Sequence, residues 1–416
     1  MGVDTATQAT DATRQADEII ARIDRIPFTR FHLHIASVLG VGTFFDAFDS
    51  LVFGTALTAI FREMHISLVN IGLLISAAFI GQFIGALAIG GLAERFGRKN
   101  AFALAMLLFG LMSFANMLAW NVQSLFIFRL IQGLGLGAEV PIAGALFNEW
   151  VRGRTRGKVV IMYENLFIYG IILGPLAGLA FFGAFGQSTG WRALFALGGL
   201  PVFVAIYALF RLPESARWLA DKGHIAAAEK LVSKLESDIS RRGGVLPPPN
   251  VKYRLSVQKT RLGELFSPEY RSRTALCWTH WFTSYFTGGI LTGWLPILYI
   301  RNGGLPQSRA LLLILAGSVM TLAVGYFLAF TIDHIGRKPL FLAGYSLAAF
   351  GCLLGLFLIY GLHITGWPPL LAFGLFMSFS SGLNSDGVYV YTPELYPTRM
   401  RAWATATASS MNRLAQ

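Results

Sequence analysis

Long apolar runs with few or no charges are the feature of this sequence that most restricts its fold. From about Ile35 onward, such runs extend over roughly 18 to 25 residues, the length at which a helix crosses the hydrocarbon core of a bilayer. Only 13% of the 416 residues are charged, about half the share found in soluble domains. The sequence therefore predicts an all-α polytopic membrane protein and excludes a soluble enzyme and a nucleic-acid-binding protein.

Charged or Gly/Pro-rich breaks divide these runs into eleven predicted spans. Their approximate limits are 34–61, 69–92, 101–119, 125–149, 159–182, 191–212, 274–300, 309–332, 339–362, 367–391 and 402–416. The last span is shorter than the ~20 residues that a complete crossing needs. We therefore expect the chain to be truncated in its eleventh span.

The distribution of positive charge predicts the orientation. Of the 34 Lys and Arg residues, 28 lie in segments on one side of the predicted membrane and 4 on the other. Because cytoplasmic loops carry the excess of positive charge, the N-terminal segment 1–33 and the polar linker 213–273 are predicted to be cytoplasmic, in a protein of the inner or plasma membrane. The net charge of +12 is then an orientation signal that can also attract anionic lipid.

Two segments outside the spans are predicted to be helical. Residues 226–239 of the linker favour a soluble helix. In the N-terminal segment, four isoleucines recur at helical spacing, which predicts an amphipathic helix on the membrane face. They are Ile19, Ile20, Ile23 and Ile26.

Two sets of residues recur at a nearly constant interval. The loop after the second span contains Gly90, Glu94, Arg95, Gly97, Arg98 and Lys99. The loop after the eighth span, displaced by 239 residues, contains Asp333, Gly336, Arg337 and Lys338. The pair beside the fourth span recurs 245 residues later beside the tenth, as Glu149 with Arg156 and Glu394 with Arg401. These repeats predict two homologous halves, 34–212 and 274–416, joined by the linker 213–273.

Two carboxylates in the first span are candidates for proton binding. Charges inside spans cost at least ~2.5–3.5 kcal/mol on insertion scales, so each is a functional candidate. Asp46 and Asp49 lie three residues apart and therefore face the same side of the helix. Two carboxylates in a low-dielectric site do not both ionise cheaply, which suits proton uptake and release. The alternative is that one of them lines a wet cavity or holds a structural ion pair.

The fourth span contributes Arg129 and Glu139. An unpaired guanidinium is expensive there, so Arg129 is expected to pair with an acid, either in a proton-linked exchange or as a static link between spans. Glu139 lies about 15 Å further along the helix, near the depth at which membrane transporters bind their substrates. It could be a second proton site, a partner for an amine or a hydrogen-bonded structural carboxyl.

The C-terminal half contributes candidates for a substrate path. Its aromatic candidates, all in the seventh span, are Trp278, His280, Trp281 and Tyr285. Their rings can stack on a flat substrate, and the imidazole can titrate or bind an anion, although rings at helical spacing also serve simply to pack helices. Asn384 and Asp386 are polar candidates in the tenth span.

The repeated loop residues are predicted to form a cytoplasmic gate. Gly97 suits a tight turn, whereas Arg95, Arg98 and Lys99 can bond to acids and to helix C-terminal carbonyls across the interface between the halves. The two acid–arginine pairs beside the fourth and tenth spans are expected to complete this latch, which breaks when the halves swing apart.

Several of these strings resemble a known family. The first loop fits G-x-L-(A)-(D/E)-R-x-G-R-(R/K), which resembles the signature of the major facilitator superfamily, with Glu94 in place of the usual Asp. Residues 129–135 resemble the R-x-x-Q-G-x-G motif of that superfamily, and 213–219 resemble the P-E-S-x-R-W-L of sugar porters. Residues 135–141 and 391–398 are similar to the nicotinate-transporter and synaptic-vesicle-protein-like branch of metabolite:proton symporters.

A further string in the first span, 46–49, resembles the D-G-x-D motif of aromatic-acid:proton symporters, with Ala47 in place of Gly. The resemblance implies two six-helix halves, of which the second would need a complete eleventh span and a twelfth. It also implies that Arg129 pairs with Asp49, and that the pair alternates with a protonated, uncoupled Asp49.

Together these features predict a proton-coupled symporter, not an enzyme, that takes up a small organic anion such as an aromatic or pyridine carboxylate. A sugar:proton symporter, a drug:proton antiporter and a non-transporting membrane sensor are the alternatives. The expected partners are the substrate, protons and the lipid bilayer, with no nucleic acid, and a monomer is expected. The proton gradient takes the place of a cofactor, since the sequence has no phosphate-cradling loop and no Cys/His metal cluster.

Overall fold

The computed structural model describes residues 2–64, 68–151, 156–251, 262–301, 303–361, 366–385, 387–397 and 400–415. These residues form fifteen α-helices, and no β-strand occurs among them. The helices are α1 Gly2–Arg25, α2 Arg30–Met64, α3 Leu68–Phe96, α4 Arg98–Met117, α5 Val122–Trp150, α6 Arg156–Gly198, α7 Pro201–Arg211, α8 Ala216–Asp221, α9 Ile225–Arg241, α10 Arg271–Arg301, α11 Gln307–Ile335, α12 Arg337–Leu356, α13 Trp367–Ser385, α14 Gly387–Glu394 and α15 Arg401–Ala415.

The long helices coincide with the predicted spans. Within the described residues, seven helical stretches are long and apolar enough to cross a membrane. One of them, Met162–Arg211, has 50 residues and covers nearly all of the fifth and the sixth predicted spans. Its backbone is non-helical at Gly186, where φ is 71°, so the chain kinks between the two spans. The prediction of an all-α, multi-pass membrane protein is confirmed.

The internal repeat is visible in three dimensions. The turn between α3 and α4 is made at Gly97 and the turn between α11 and α12 at Gly336, with φ of 96° and 89°. After each glycine, an arginine side chain donates from Nη1 to the carbonyl five residues before it, Arg98 to Ala93 at 2.9 Å and Arg337 to Ile332 at 3.0 Å. We call the end of the bundle that carries these two turns the motif side.

The two halves pack together toward the motif side. The largest buried apolar cluster there includes Ala93 and Leu146 of the N-terminal half with Leu328 and Ile332 of the C-terminal half. At the opposite end, the buried clusters are separate: one comes from the N-terminal half around Trp191, and another comes from the C-terminal half. In this conformation the described helices therefore join the halves mainly on the motif side.

Helix α1 differs from its predicted position. Ile19, Ile23 and Ile26 are buried within the protein, where α1 packs against α8 and α9. Both Arg22 and Arg25 bond to the Glu236 carboxylate of α9, each at 2.7 Å. The expectation of a helix lying on the membrane face was therefore wrong, because the linker helices supply a protein surface for the same apolar stripe.

The ion pairs of Glu236 with Arg22 and Arg25, which anchor α1 to α9, depend on pH. Burial by itself would raise the pKa of Glu236, but the hydrogen bonds and charges of Arg22 and Arg25 outweigh it and lower the pKa below its ordinary 4.5. A carboxyl with a depressed pKa stabilises the docked state fully above its undocked pKa and loses that contribution as the pH falls through the docked value.

We expect Glu236→Gln to weaken the docking of α1 at neutral pH, measured as faster amide hydrogen exchange in α1 after correction for intrinsic rates. The difference between wild type and E236Q should persist down to about pH 4.5 and shrink as the pH is lowered below 4.5, toward the depressed pKa of docked Glu236. A difference that persists at the acidic end would show that the anchor does not depend on the Glu236 charge.

Candidate functional site

A buried hydrogen-bonded ion pair joins the first and fourth spans. Arg129 Nη1 of α5 donates to Asp49 Oδ2 of α2 at 2.8 Å. The other carboxylate oxygen, Asp49 Oδ1, accepts from Gln132 Nε2 at 2.8 Å. Asp49 is 1% exposed and Arg129 4%. The structure therefore contains the ion pair expected for Arg129, and both oxygens of the carboxylate have donors.

Gln132 and Phe53 complete the surroundings of this pair. Gln132 lies three residues after Arg129, so both side chains leave the same face of α5. Its Oε1 atom accepts from Arg129 at 3.1 Å and from Asn116 Nδ2 at 2.9 Å. The Arg129 guanidinium also lies over the Phe53 ring, 4.0 Å from its centroid. The arginine is thus held by its acid, an amide and an aromatic face.

The second carboxylate of the first span faces a different arginine. Arg413 of α15 lies with Nη2 at 3.5 Å from Asp46 Oδ2, and both residues are nearly buried. Asp46 and Asp49 therefore do not share one site: each lies against an arginine of another helix. Because α2 belongs to the N-terminal half and α15 to the C-terminal half, the Asp46–Arg413 contact crosses the interface between the halves.

Glu139 lies in the same charged cluster. Asp46 and Arg413 are both close enough to interact electrostatically with its carboxyl, which is fully buried. Thr43 Oγ1 donates to Glu139 Oε1 at 3.0 Å and also lies 2.6 Å from the Tyr163 hydroxyl. Glu139 Oε2 and Asp46 Oδ2 are buried without a hydrogen-bond donor among the described residues.

Sequence reasoning missed Arg413, although the signal was present. Arg413 lies within the eleventh predicted span, so the rule that selected Arg129, the cost of a charge inside a span, applies to it equally. What the sequence did not reveal is its partner. Asp46 lies 367 positions before Arg413, and only the packing of α15 against the N-terminal half brings the two together.

Two of the four aromatic candidates, Tyr285 and Trp281, approach this cluster through Tyr389. The Tyr285 hydroxyl of α10 is 2.6 Å from the Tyr389 hydroxyl of α14, and Tyr389 lies within electrostatic range of Arg413. Trp281 is fully buried, and its Nε1 donates to Thr392 at 2.8 Å. Tyr285 and Tyr389 form a hydroxyl-linked pair, which we call the aromatic wall, and Tyr389 is its member that interacts electrostatically with Arg413. The Trp281 ring packs against Tyr389, with 4.8 Å between ring centroids.

The remaining candidates of the C-terminal half point elsewhere. His280 packs edge-on against Phe341, with 4.1 Å between ring centroids, and its Nδ1 lies 2.7 Å from the Tyr345 hydroxyl, so it belongs to the contact between α10 and α12. Trp278 bonds to Thr407 of α15 at 3.3 Å. Asn384 is buried and bonds to the carbonyl of Ser380. Asp386 lies outside the described residues.

Motif residues on the N-terminal half form a dense polar network. Arg98 Nη2 contacts Glu94 at 2.7 Å and Glu149 at 3.1 Å. Lys99 Nζ donates to the Leu209 carbonyl at the end of α7. These bonds lie within the N-terminal half instead of crossing to the other half, so sequence reasoning assigned them to the wrong interface. Arg337 and Glu394 form the equivalent pair at 2.7 Å inside the C-terminal half.

The segment 213–219 docks on this network, a role that sequence reasoning did not assign. Glu214 Oε1 accepts from the backbone N–H groups of Arg98 at 2.9 Å and Lys99 at 3.2 Å, capping the start of α4. Burial nevertheless raises the pKa of the Glu214 carboxyl. Arg217 donates to the Glu149 carbonyl at 2.7 Å and pairs with Asp24 of α1. The string similar to that of sugar porters thus fastens α4, α5 and α1 together.

Other predicted gate residues have simpler surroundings. Arg95 and Lys338 are exposed, and Gly90 lies inside α3. Arg401 donates to the Tyr396 carbonyl at 3.2 Å. Its pKa is lowered by burial and by the positive charge of Arg217 across the interface.

The side chains of Arg156 and Asp333 lie outside the described residues. No group of three His, Cys, Asp or Glu residues suited to a metal occurs in the part of the chain that the structure describes.

Comparison with known proteins places this chain in a family. The sequence model of the sugar (and other) transporter family matches residues 28–416. The chain is 32% identical to the niacin transporter NiaP of Acinetobacter baylyi over 403 residues, 95% of this chain and 88% of that protein. It is 31% identical to the 4-hydroxybenzoate transporter PcaK of the same organism over 416 residues, 98% of this chain and 88% of that protein.

Solved structures agree on the fold. The major facilitator superfamily proton:xylose symporter XylE, bound to 6-bromo-6-deoxy-D-glucose, matches with a TM-score of 0.75 at 21% identity, over 93% of this chain and 86% of that one. Buried charges on spans of two packed halves are typical of secondary transporters. The chain belongs to the sugar (and other) transporter family of the major facilitator superfamily. The resemblance found in the sequence motifs is confirmed.

The two motif glycines provide a matched test of the Glu214 contact. Both have a backbone conformation that is nearly exclusive to glycine, so Gly97→Ala and Gly336→Ala should each cost about 1–3 kcal/mol in strain. Only at Gly97 would the added Cβ overlap the Glu214 carboxylate, whereas at Gly336 the nearest atom, Pro339 Cδ, is 4.0 Å away. We expect G97A to lower the unfolding temperature in detergent more than G336A. Equal decreases would show that Glu214 simply moves aside.

The two buried ion pairs should differ in strength. A double-mutant cycle with Asp49→Asn and Arg129→Gln should give a coupling energy toward the upper end of the ~0.5–3 kcal/mol range for interacting residues. The Asp46→Asn and Arg413→Gln cycle should give a smaller value, because its 3.5 Å contact is longer than a good hydrogen bond. Unfolding free energies of the purified variants measure both cycles, and a larger coupling for the second would contradict the geometry.

Proposed function

We propose that this protein is a symporter that couples the entry of a small organic anion, an aromatic or pyridine carboxylate, to the entry of protons. The observation that carries the proposal is the contact of Arg413 of one half with Asp46 of the other, within electrostatic range of Glu139. A cation and two acids with unsatisfied oxygens meet at the interface whose opening and closing would move a substrate across the membrane.

Arg413 is suited to bind the substrate carboxylate. Its contact with Asp46 is 3.5 Å long, so its guanidinium donors are not engaged in a short ion pair. Guanidinium groups bind carboxylates through two parallel hydrogen bonds. When a substrate carboxylate takes this place, Asp46 and Glu139 lose a positive neighbour, and protonation of one of them offsets the loss. Binding of anion and proton is thereby linked in the direction that symport requires.

The aromatic wall supports a ring-bearing substrate. The Tyr285 and Tyr389 hydroxyls contact each other, and Tyr389 interacts electrostatically with Arg413, so the ring of a carboxylate bound at Arg413 would extend toward these tyrosines. Two relatives are named for niacin and 4-hydroxybenzoate, and both compounds combine one carboxylate with one aromatic ring. The shared chemistry of those two substrates matches an arginine next to a pair of tyrosines.

Asp49 and Arg129 supply the proton switch. While Asp49 is ionised, its two oxygens accept from Arg129 and Gln132 and hold α2 against α5. A proton on Asp49 would remove the charge that compensates Arg129, so protonation releases α2 from α5. The released contact then permits α2 to shift relative to α5 within the N-terminal half. The alternative, a static link, predicts transport that is independent of Asp49 protonation.

The same proposal assigns the membrane context. The protein resides as a monomer in the cell (inner or plasma) membrane, with the motif side and the N-terminus in the cytoplasm, because the positively charged segments lie on that side. The proton gradient drives transport without a bound cofactor. The present conformation, with the halves joined toward the motif side, then faces outward. The motif network acts as part of the cytoplasmic gate by holding the N-terminal half rigid while the halves separate.

Uptake into proteoliposomes with an acidic exterior tests the proposal. Wild-type protein should accumulate labelled nicotinate or 4-hydroxybenzoate and make the exterior more alkaline. Asp49→Asn should lose accumulation but keep exchange of labelled for unlabelled substrate, because only the proton step is removed. Arg413→Gln should lose both activities, and the matched control Glu18→Gln, an exposed acid of α1, should lose neither.

Three outcomes would contradict this function. Uptake of sugars alone would favour a sugar:proton symporter. Substrate-driven acidification of the exterior would indicate a drug:proton antiporter. The absence of any flux, with specific binding retained, would indicate a sensor.

A further inference from the structure

A cavity of about 450 Å³ lies on the motif side, away from the transport site. It is bounded by the beginning of α2, the end of α7 and one face of α9. Its volume falls within the ~300–1,000 Å³ typical of small-ligand sites. Neither the proton switch nor the Arg413 cluster contributes a residue to it.

The cavity is strongly basic. Four cations line it, one from α2, one from α7, one from α9 and one just beyond α9: Arg30, Arg211, Lys234 and Arg242. The only acid among the lining residues is Asp238, which also lies 3.6 Å from Arg241 outside the cavity. Four positive charges and one negative charge leave a net +3. None of the four cations forms an ion pair with any described residue, so the cavity attracts an anion.

The charge of α9 is divided between its two faces. On the face toward α1, the Glu236 carboxylate is matched by Arg22 and Arg25. On the opposite face, Lys234 and Arg242 project toward the cavity without a matching acid other than Asp238. The side of α9 that faces the ends of two membrane helices therefore carries a net positive charge.

An apolar surface adjoins the basic cavity. Phe31 and Leu235 contribute to its lining, together with Phe210, which is 81% exposed at the end of α7. Further along α7, Phe203 and Tyr207 are also exposed, and they belong to a predicted span. In a membrane these side chains contact acyl chains, so the cavity opens where headgroups meet hydrocarbon.

We propose that this cavity binds the phosphate headgroup of an anionic phospholipid from the leaflet on the motif side, with the acyl chains lying along α7. Basic pockets beside transmembrane helices are suited to anionic headgroups, because each cation near the surface attracts them and the neighbouring apolar surface accommodates the chains. A soluble anion would use only the cations and would leave the exposed aromatic surface of α7 unexplained.

The bound lipid would connect three elements that otherwise meet only loosely. Arg30 lies at the beginning of the first span, Arg211 at the end of the sixth, and Lys234 on the linker helix. One phosphate between them screens their mutual repulsion and fixes α9, together with α1, against the membrane helices. The N-terminal half and the linker then move as one body when the halves separate.

Native mass spectrometry of the full chain, titrated with phosphatidylglycerol or phosphatidylcholine, tests the proposal. The variant Lys234→Gln/Arg242→Gln removes two cavity cations, and Lys222→Gln/Lys230→Gln removes two exposed cations outside the cavity as a matched control. We expect the cavity variant to bind phosphatidylglycerol roughly 30-fold more weakly than wild type, and the control variant to bind it as wild type does. Phosphatidylcholine should bind weakly to all three proteins.

Phe210→Ala distinguishes a lipid from a free anion. It should weaken the binding of phosphatidylglycerol but not that of its water-soluble headgroup, glycerophosphoglycerol. Equal weakening in the cavity and control variants would overturn the proposal in favour of unspecific attraction. Binding of inorganic phosphate in lipid-free detergent, lost in the cavity variant while phosphatidylglycerol binding is unchanged, would identify a soluble anion as the occupant.

Discussion

The cost of burying charge in a low-dielectric membrane organises this protein. Arg129 and Asp49 are acceptable inside the bundle because each neutralises the other, Gln132 hydrogen-bonds to both, and the Phe53 ring lies against the guanidinium. In the proposed mechanism the same cost makes the pair responsive, since a proton on Asp49 would leave the arginine uncompensated. In that mechanism, one proton is enough to break the contact between α2 and α5.

The cost of buried charge also governs the Arg413 cluster at the interface between the halves. Arg413 enters the N-terminal half from α15, whereas Asp46 and Glu139 approach from α2 and α5. One cation can neutralise only one of the two acids. In addition, one carboxylate oxygen of each acid has no hydrogen-bond donor among the described side chains. An anion bound at Arg413 would add a further negative charge to this cluster, and a proton on one of the acids would offset it. This linkage is why the cluster supports the proposal of an anion symporter better than the aromatic candidates alone.

On the motif side, polar networks stabilise each half internally, whereas apolar packing joins the two halves. Arg98, Glu94, Glu149 and Glu214 stiffen the N-terminal half internally, and Arg337 with Glu394 does the same in the other half. The interface between the halves is formed chiefly by apolar side chains such as Leu146 and Leu328. Apolar contacts are non-directional and therefore suit surfaces that must separate and rejoin, whereas hydrogen-bonded networks suit units that must stay rigid.

The sequence by itself determined the spans, the two-half repeat and the pairing of Arg129 with an acid, because hydropathy, repeated motifs and the cost of an unpaired charge are local or pairwise properties. It did not determine the partner of Arg413, the docking of α1 on α9, or the separation of His280 from the charged cluster. These depend on which helix faces meet, and many amphipathic or aromatic faces are equally compatible with lipid, with a linker helix or with a substrate path. Only the tertiary structure selected among them, since burial of each face against one particular neighbour decides which side chains remain free to bind.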